Sequence, residues 1–170
     1  IFVFLFSLAG IILGAINWDR RNEFSKFVEK NGNSKFNLFN VDLEKGRQIY
    51  WDNNLTAPWI LLNRASYWNN LQAAGLLFNR GTAKIGFERS NKFKNIEFQS
   101  QICNIMNKAS DDSTTCNPDA HLIIDLCQEP GTPLRYMVFE NRFKLNYVST
   151  WNILSDNKET KYYLYDCNNL

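Results

Sequence analysis

Residues 1–16, IFVFLFSLAGIILGAI, carry no charge, and Asp19, Arg20 and Arg21 follow almost together. No other feature constrains the fold so strongly, because a helix apolar on every side must be covered by lipid or by other protein. A bilayer core needs roughly 20 apolar residues in a helix. The run approaches that length once Asn17 and Trp18 are counted at the interface. Trp18 with Arg20 and Arg21 forms the aromatic and basic edge expected where a helix leaves lipid. The sequence therefore predicts a membrane anchor over residues 1–18. A helix buried against partner proteins and the remains of a targeting segment are the competing readings. Gly10 and Gly14 form a small-xxx-small pair that would let a second helix pack closely.

Beyond the anchor the composition is that of a folded domain, with 45% hydrophobic, 15% aromatic and 21% charged residues. The 19 basic and 17 acidic residues are interspersed and form no dense basic stripe, which argues against a nucleic-acid partner. Residues 19–56 read as a charged continuation of the helix followed by an irregular connection. In RNEFSKFVEK, Phe24, Phe27 and Val28 make one apolar stripe at i, i+3 and i+4, and Asn31-Gly32-Asn33 ends it. Residues 57–170 read as an α+β domain. Pro58 suits a helix start, and Ala65, Trp68, Leu71, Ala74 and Phe78 recur at helical spacing up to Gly81, with a short strand or turn at Ile85 and Phe87. The C-terminal part reads as an antiparallel sheet. Its strands would be HLIIDLC (121–127), a hairpin around Asn141-Arg142 joining Tyr136 and Val138 to Phe143, Leu145 and Tyr147, and KYYLYDC (161–167).

A mature chain that begins at an apolar helix resembles the type IV pilin and pseudopilin family, through the first 30 residues and the last 45. That family's acidic fifth residue is Leu5 here, and no proline follows the apolar run. The resemblance implies a helix that first anchors the protein and then forms the core of a filament.

Cys103, Cys116, Cys127 and Cys167 permit three pairings. We expect Cys103–Cys116, closing the polar loop KASDDSTT, and Cys127–Cys167, fastening the C-terminus. The second resembles the C-terminal disulfide loop of pilins. Four free thiols are the alternative, or zinc held by Cys103, Cys116, Cys127 and the single histidine, His121. No CxxC pair supports zinc, and His121 reads as a strand-edge residue. The even cysteine count and the Asn54-Leu55-Thr56 sequon favour an extracytoplasmic, lumenal or intermembrane location. Arg20, Arg21, Lys26 and Lys30 argue for the opposite face.

Phosphate-binding glycine loops and a nucleophile elbow are both missing from the sequence, and Asp111 and Asp112 read as solvated loop charge. We expect no enzyme, no metal, no cofactor and no small-molecule substrate. Trp51, Trp59, Tyr67 and Trp68 lie within 18 residues of one another. They read either as core or as an interface with partner subunits or the bilayer surface. The function expected is a non-catalytic, single-helix-anchored accessory subunit of a larger membrane assembly, such as a respiratory-type complex. A pilin-like filament subunit is the alternative.

Overall fold

The computed structural model describes residues 7–8, 10–14, 21–32, 37–76, 78–109, 116–155 and 158–170. Four strands form one mixed sheet in the order β1-β2-β4-β3: β1 Gln48–Trp51, β2 Leu134–Phe139, β3 Ser149–Ser155 and β4 Lys158–Asp166. The helices are α1 Glu23–Asn31, the single turn α2 Ala73–Leu76, the long α3 Arg80–Ala109 and α4 His121–Cys127. The α+β class holds; the all-antiparallel sheet does not. β1 runs parallel to β2, pairing Ile49 with Tyr136 and Trp51 with Val138, while β2–β4 and β3–β4 are antiparallel. A parallel pair needs a long crossover. Here α2, α3 and α4 all lie between β1 and β2 in the chain.

Both faces of the sheet are covered, and strand alternation sorts the side chains between them. Ile49, Trp51, Tyr136, Val138, Trp151, Ile153, Tyr162 and Leu164 enter one core, which Val28 of α1, Leu38, Phe39 and Leu61 complete. Tyr50, Met137, Phe139 and Tyr165 enter the other, with Phe93 and Ile96 of α3 and Ile123 and Leu126 of α4. The central strand β2 is therefore almost continuously buried, which is why LRYMVF lacks a clean polar alternation.

The stripe expected on α1 forms as read. Phe24 and Phe27 pack on Trp151, with ring centroids 6.2 and 5.3 Å away. Asn22 caps the helix by accepting the Ser25 amide at 2.8 Å. Gly32 ends it in a right-handed conformation rather than the left-handed one expected. An added Cβ at Gly32 would stand 2.5 Å from Ile60 Cγ2, so a larger residue there would have to displace the Ile60 side chain.

Three other expected elements are corrected. HLIIDLC is the helix α4: its buried residues Ile123 and Leu126 are one turn apart, and Asp119 Oδ1 accepts the His121 amide at the start. The helix expected to run from Pro58 to Phe78 is broken. A π-helical turn covers Ala57–Leu61, then Asn63 takes a left-handed φ of 49° and Ser66 bridges to Ile49 as extended chain. Gly81 opens the long helix α3 rather than closing the preceding one. The third correction concerns the hairpin at Asn141-Arg142, where β2 pairs with β4 instead. Phe143 turns into the core, its amide donating to Tyr165 Oη at 2.9 Å.

Both expected disulfides form, Cys103–Cys116 and Cys127–Cys167. The first ties the end of α3 to the chain beyond it, and the second ties α4 to the 3-10 turn that follows β4. Chain-entropy arguments assign loops of these sizes roughly 3–4 kcal/mol each. Among the described residues, no helix is long and apolar enough to cross a membrane. Most of the anchor expected at residues 1–18, Trp18 included, lies outside the described residues. Gly10 and Gly14 are helical, with open space where a Cβ would stand.

Trp51 is fully buried and packs on Phe39, Trp151 and Tyr162 at centroid distances of 5.9, 6.1 and 5.3 Å. Trp51→Ala is expected to cost about 3–5 kcal/mol in denaturant unfolding, and Trp59→Ala, half exposed, less than about 0.5 kcal/mol. Equal losses would contradict this assignment.

Candidate functional site

The most unusual chemistry among the described residues lies where the C-terminal end of β1 meets the middle of α3. Alternation sends Tyr50 toward the helix, and Asp52, just past the strand, is buried beside it. Along α3, Phe93, Ile96, Ser100 and Cys103 are spaced at three and four residues and form the buried face. Ser100 is the polar member of that face.

Asp52 accepts the Ser100 hydroxyl on Oδ2 and the Tyr50 hydroxyl on Oδ1, the latter at 3.2 Å. The same Tyr50 oxygen lies 3.4 Å from Glu97 Oε1, which accepts the indole N–H of Trp68 at 3.0 Å. On the other side Asn141 Nδ2 donates to the Ser100 carbonyl and hydroxyl oxygens, both at 3.1 Å. Asn107 Nδ2 donates to Asn141 Oδ1 at 3.2 Å, and Asn107 Oδ1 accepts the Cys116 amide at 3.0 Å. One hydrogen-bonded chain thus runs from Trp68 to the Cys103–Cys116 disulfide. It links the sheet, α3 and the loop after β2.

The electrostatics are one-sided. Asp52 makes hydrogen bonds to Tyr50, Asn53 and Ser100 but no salt bridge among the described residues. Burial pushes its carboxyl up to about 6, and the nearby Glu140 adds to the rise against the opposing hydrogen bonds. Burial likewise raises Glu97, with Asp52 contributing. The Tyr50 phenol is pushed well above its ordinary value by burial and by both carboxylates. Chemically the site is a buried carboxylate, Asp52, joined through a phenol to the half-buried Glu97, and it is able to hold a proton near neutral pH. Asp52, Ser100 and Asn141 are closed to solvent in this conformation. A cleft of about 310 Å³ lies nearby, lined by Tyr67, Trp68, Thr82 and Arg89. There the Arg89 guanidinium stacks 4.1 Å over Tyr67.

The residues singled out from sequence fall in several places. Of the four aromatics read as core or interface, Trp51, Tyr67 and Trp68 are buried within the chain and Trp59 is exposed. His121 is exposed at the first turn of α4, away from a metal environment: Cys103, Cys116 and Cys127 are all in disulfides. No metal-ligating cluster occurs among the described residues. Asp111 and Asp112 lie outside them.

Two features escaped the sequence reading. The Asp52 network joins residues as many as 48 positions apart, and nothing local marks it. The other is the outer face of α3, where Phe87, Phe98, Ile102, Ile105 and Met106 are exposed opposite the buried face. Its signal was present as a second set of helically spaced apolar residues. Compared with protein-family models, curated proteins and solved structures, the chain matches none.

A carboxyl whose folded pKa is raised contributes stability at low pH, and that contribution is lost as pH rises through the folded value. Asp52→Asn removes this loss. The stability of the variant relative to the parent is expected to grow by about 2–3 kcal/mol between about pH 4 and about pH 8, read from denaturant midpoints. A difference that stays flat with pH would show Asp52 to be unperturbed.

Proposed function

We propose that this protein is a non-catalytic accessory subunit of a larger membrane assembly, held by its apolar N-terminal segment and bound to neighbours through the outer face of α3. The observation that carries the reading is the two-sidedness of α3. Phe98, Ile102 and Ile105 are spaced at four and three residues, and Phe87 lies three turns earlier on the same side. These side chains are exposed, Phe98 and Ile105 by 64% and 69%. A helix already buried along one face gains nothing within its own domain from a second apolar ridge. Such exposed faces mark interaction surfaces. Leu71 and Phe78 are exposed as well, as are Leu8, Ile11, Ile12 and Leu13 in the N-terminal helical stretch. Water contact along all of these would be costly, so an assembly that covers them supplies the missing burial.

Paired cysteines support an oxidising location for the folded domain, on the extracytoplasmic, lumenal or intermembrane side. The alternative reading is a pilin-like filament of copies of this chain, favoured by the Cys127–Cys167 bond close to the C-terminus. In that case the α3 ridge would meet an identical subunit.

Phe98→Asp combined with Ile105→Asp places two charges on the exposed ridge without touching the core. The double variant is expected to unfold within about 1 kcal/mol of the parent, since surface changes rarely exceed about 0.5 kcal/mol each. On size-exclusion of detergent-extracted native protein, it is expected to leave the large assembly in which the parent elutes. A variant that remains in the assembly would contradict the proposed surface. Subunit composition of the parent assembly separates the two readings: different chains support an accessory subunit, and copies of this one support a filament.

A further inference from the structure

The turn that follows β1 carries Asn54-Leu55-Thr56, the one Asn-x-Ser/Thr triplet in the chain. The last ladder bond of this edge is Asp52 N–H to the Val138 carbonyl at 3.0 Å. Asn53 then takes a left-handed φ of 54°, and the Asn54 amide closes the turn on the Trp51 carbonyl at 3.2 Å. Asn53 and Thr56 are exposed and Asn54 half-buried. Asn54 Oδ1 accepts two hydrogen bonds, from the Ala57 amide at 2.9 Å and the Thr56 hydroxyl at 3.2 Å. A backbone N–H needs an acceptor, so this pairing fixes which amide atom is oxygen. Nδ2 takes the opposite side of the planar amide group.

From this geometry we infer that Asn54 is an N-glycosylation site. The motif needs a hydroxyl residue two positions after the asparagine, on a surface loop of a secreted chain. Here Thr56 supplies that hydroxyl on an exposed turn, and its hydrogen bond to Asn54 falls on Oδ1, so it does not occupy the amide nitrogen that reacts. The donor is a polyprenyl-pyrophosphate-linked oligosaccharide. Nδ2 forms a bond to the anomeric carbon and the bond from that carbon to the pyrophosphate oxygen breaks. The lipid pyrophosphate leaves with the electron pair, and one amide proton passes to a base of the transferring enzyme. No oxidation or reduction occurs. The product keeps Oδ1 and one N–H on the side chain, so the cap on Ala57 and the Thr56 contact both survive modification. Modification at Nδ2 therefore leaves both hydrogen bonds on Oδ1 in place. Both disulfides point to a compartment where such donors occur, and on this point the inference rests on the extracytoplasmic placement proposed above.

The test uses the full-length protein isolated from its own cells without reductant. An amidase that cleaves the glycosylamine bond is expected to increase gel mobility and to leave aspartate at position 54 in the peptide map. Thr56→Ala and Asn54→Gln are expected to lose that shift, and Thr56→Ser to keep it. Thr56→Ala spares the Asn54 cap on Ala57 and so guards against an effect of misfolding. Unmodified asparagine at position 54 in native material overturns the inference. Cysteine pairing in the same sample then tells which step failed. With both disulfides present only the modification site is lost; with free thiols the extracytoplasmic placement falls too.

Discussion

β2 is enclosed on both faces, and the rest of the molecule is arranged to satisfy that condition. Met137 and Phe139 need α3 and α4 above them, and Tyr136 and Val138 need α1 and the segment around Phe39 and Leu61 below. A strand so enclosed must also pair along both edges, because an unsatisfied buried backbone group costs about as much as a lost hydrogen bond. β4 satisfies one edge and β1 the other. Since β1 joins in parallel, the chain must travel back before β2 begins, and α3 is part of that return.

The same layout explains why acidic chemistry appears where it does. Asp52 leaves β1 at the point where the strand passes under α3, facing Ser100 rather than water. An apolar residue there would avoid the desolvation of a carboxylate. The acid present instead joins strand, helix and the Asn141 loop through the bonds that Tyr50 and Ser100 donate to it and that Asn141 donates to Ser100. Tyr162 lies against Glu140 and its phenol is raised by burial, so acidic groups gather around this end of the sheet with no buried cation among the described residues to balance them.

Some of this was legible in the sequence because the signals were local. The Phe24, Phe27 and Val28 stripe lies on one helix face with water on the other, and its period survives folding. The strand read at KYYLYDC lies within β4 up to Asp166, and both cysteine pairs followed from loop length and position in the chain. The elements that were misread involve two demands on one segment. α3 is apolar on opposite faces, so its period blurs, and Gly81 looks like a stop although Asn79 caps the start by accepting the Gly81 and Thr82 amides. HLIIDLC is too short for period alone to distinguish strand from helix. Trp68 and Leu71 share a helical spacing, yet one is buried and the other 71% exposed, because the chain there bridges to Ile49 before any helix forms. The Asp52 network depends on contacts distant in sequence and has no local signature.

Residue-resolved hydrogen exchange tests the central claim most directly. If β2 is enclosed by two layers and paired on both edges, the Met137 and Val138 amides exchange only through global unfolding, at the slowest rates in the domain. The amides of α2, whose single turn packs few neighbours, exchange many-fold faster. Exchange of Met137 and Val138 at the rate of exposed turns, under conditions where the domain stays folded, would show that the doubly covered sheet is not the core of this protein.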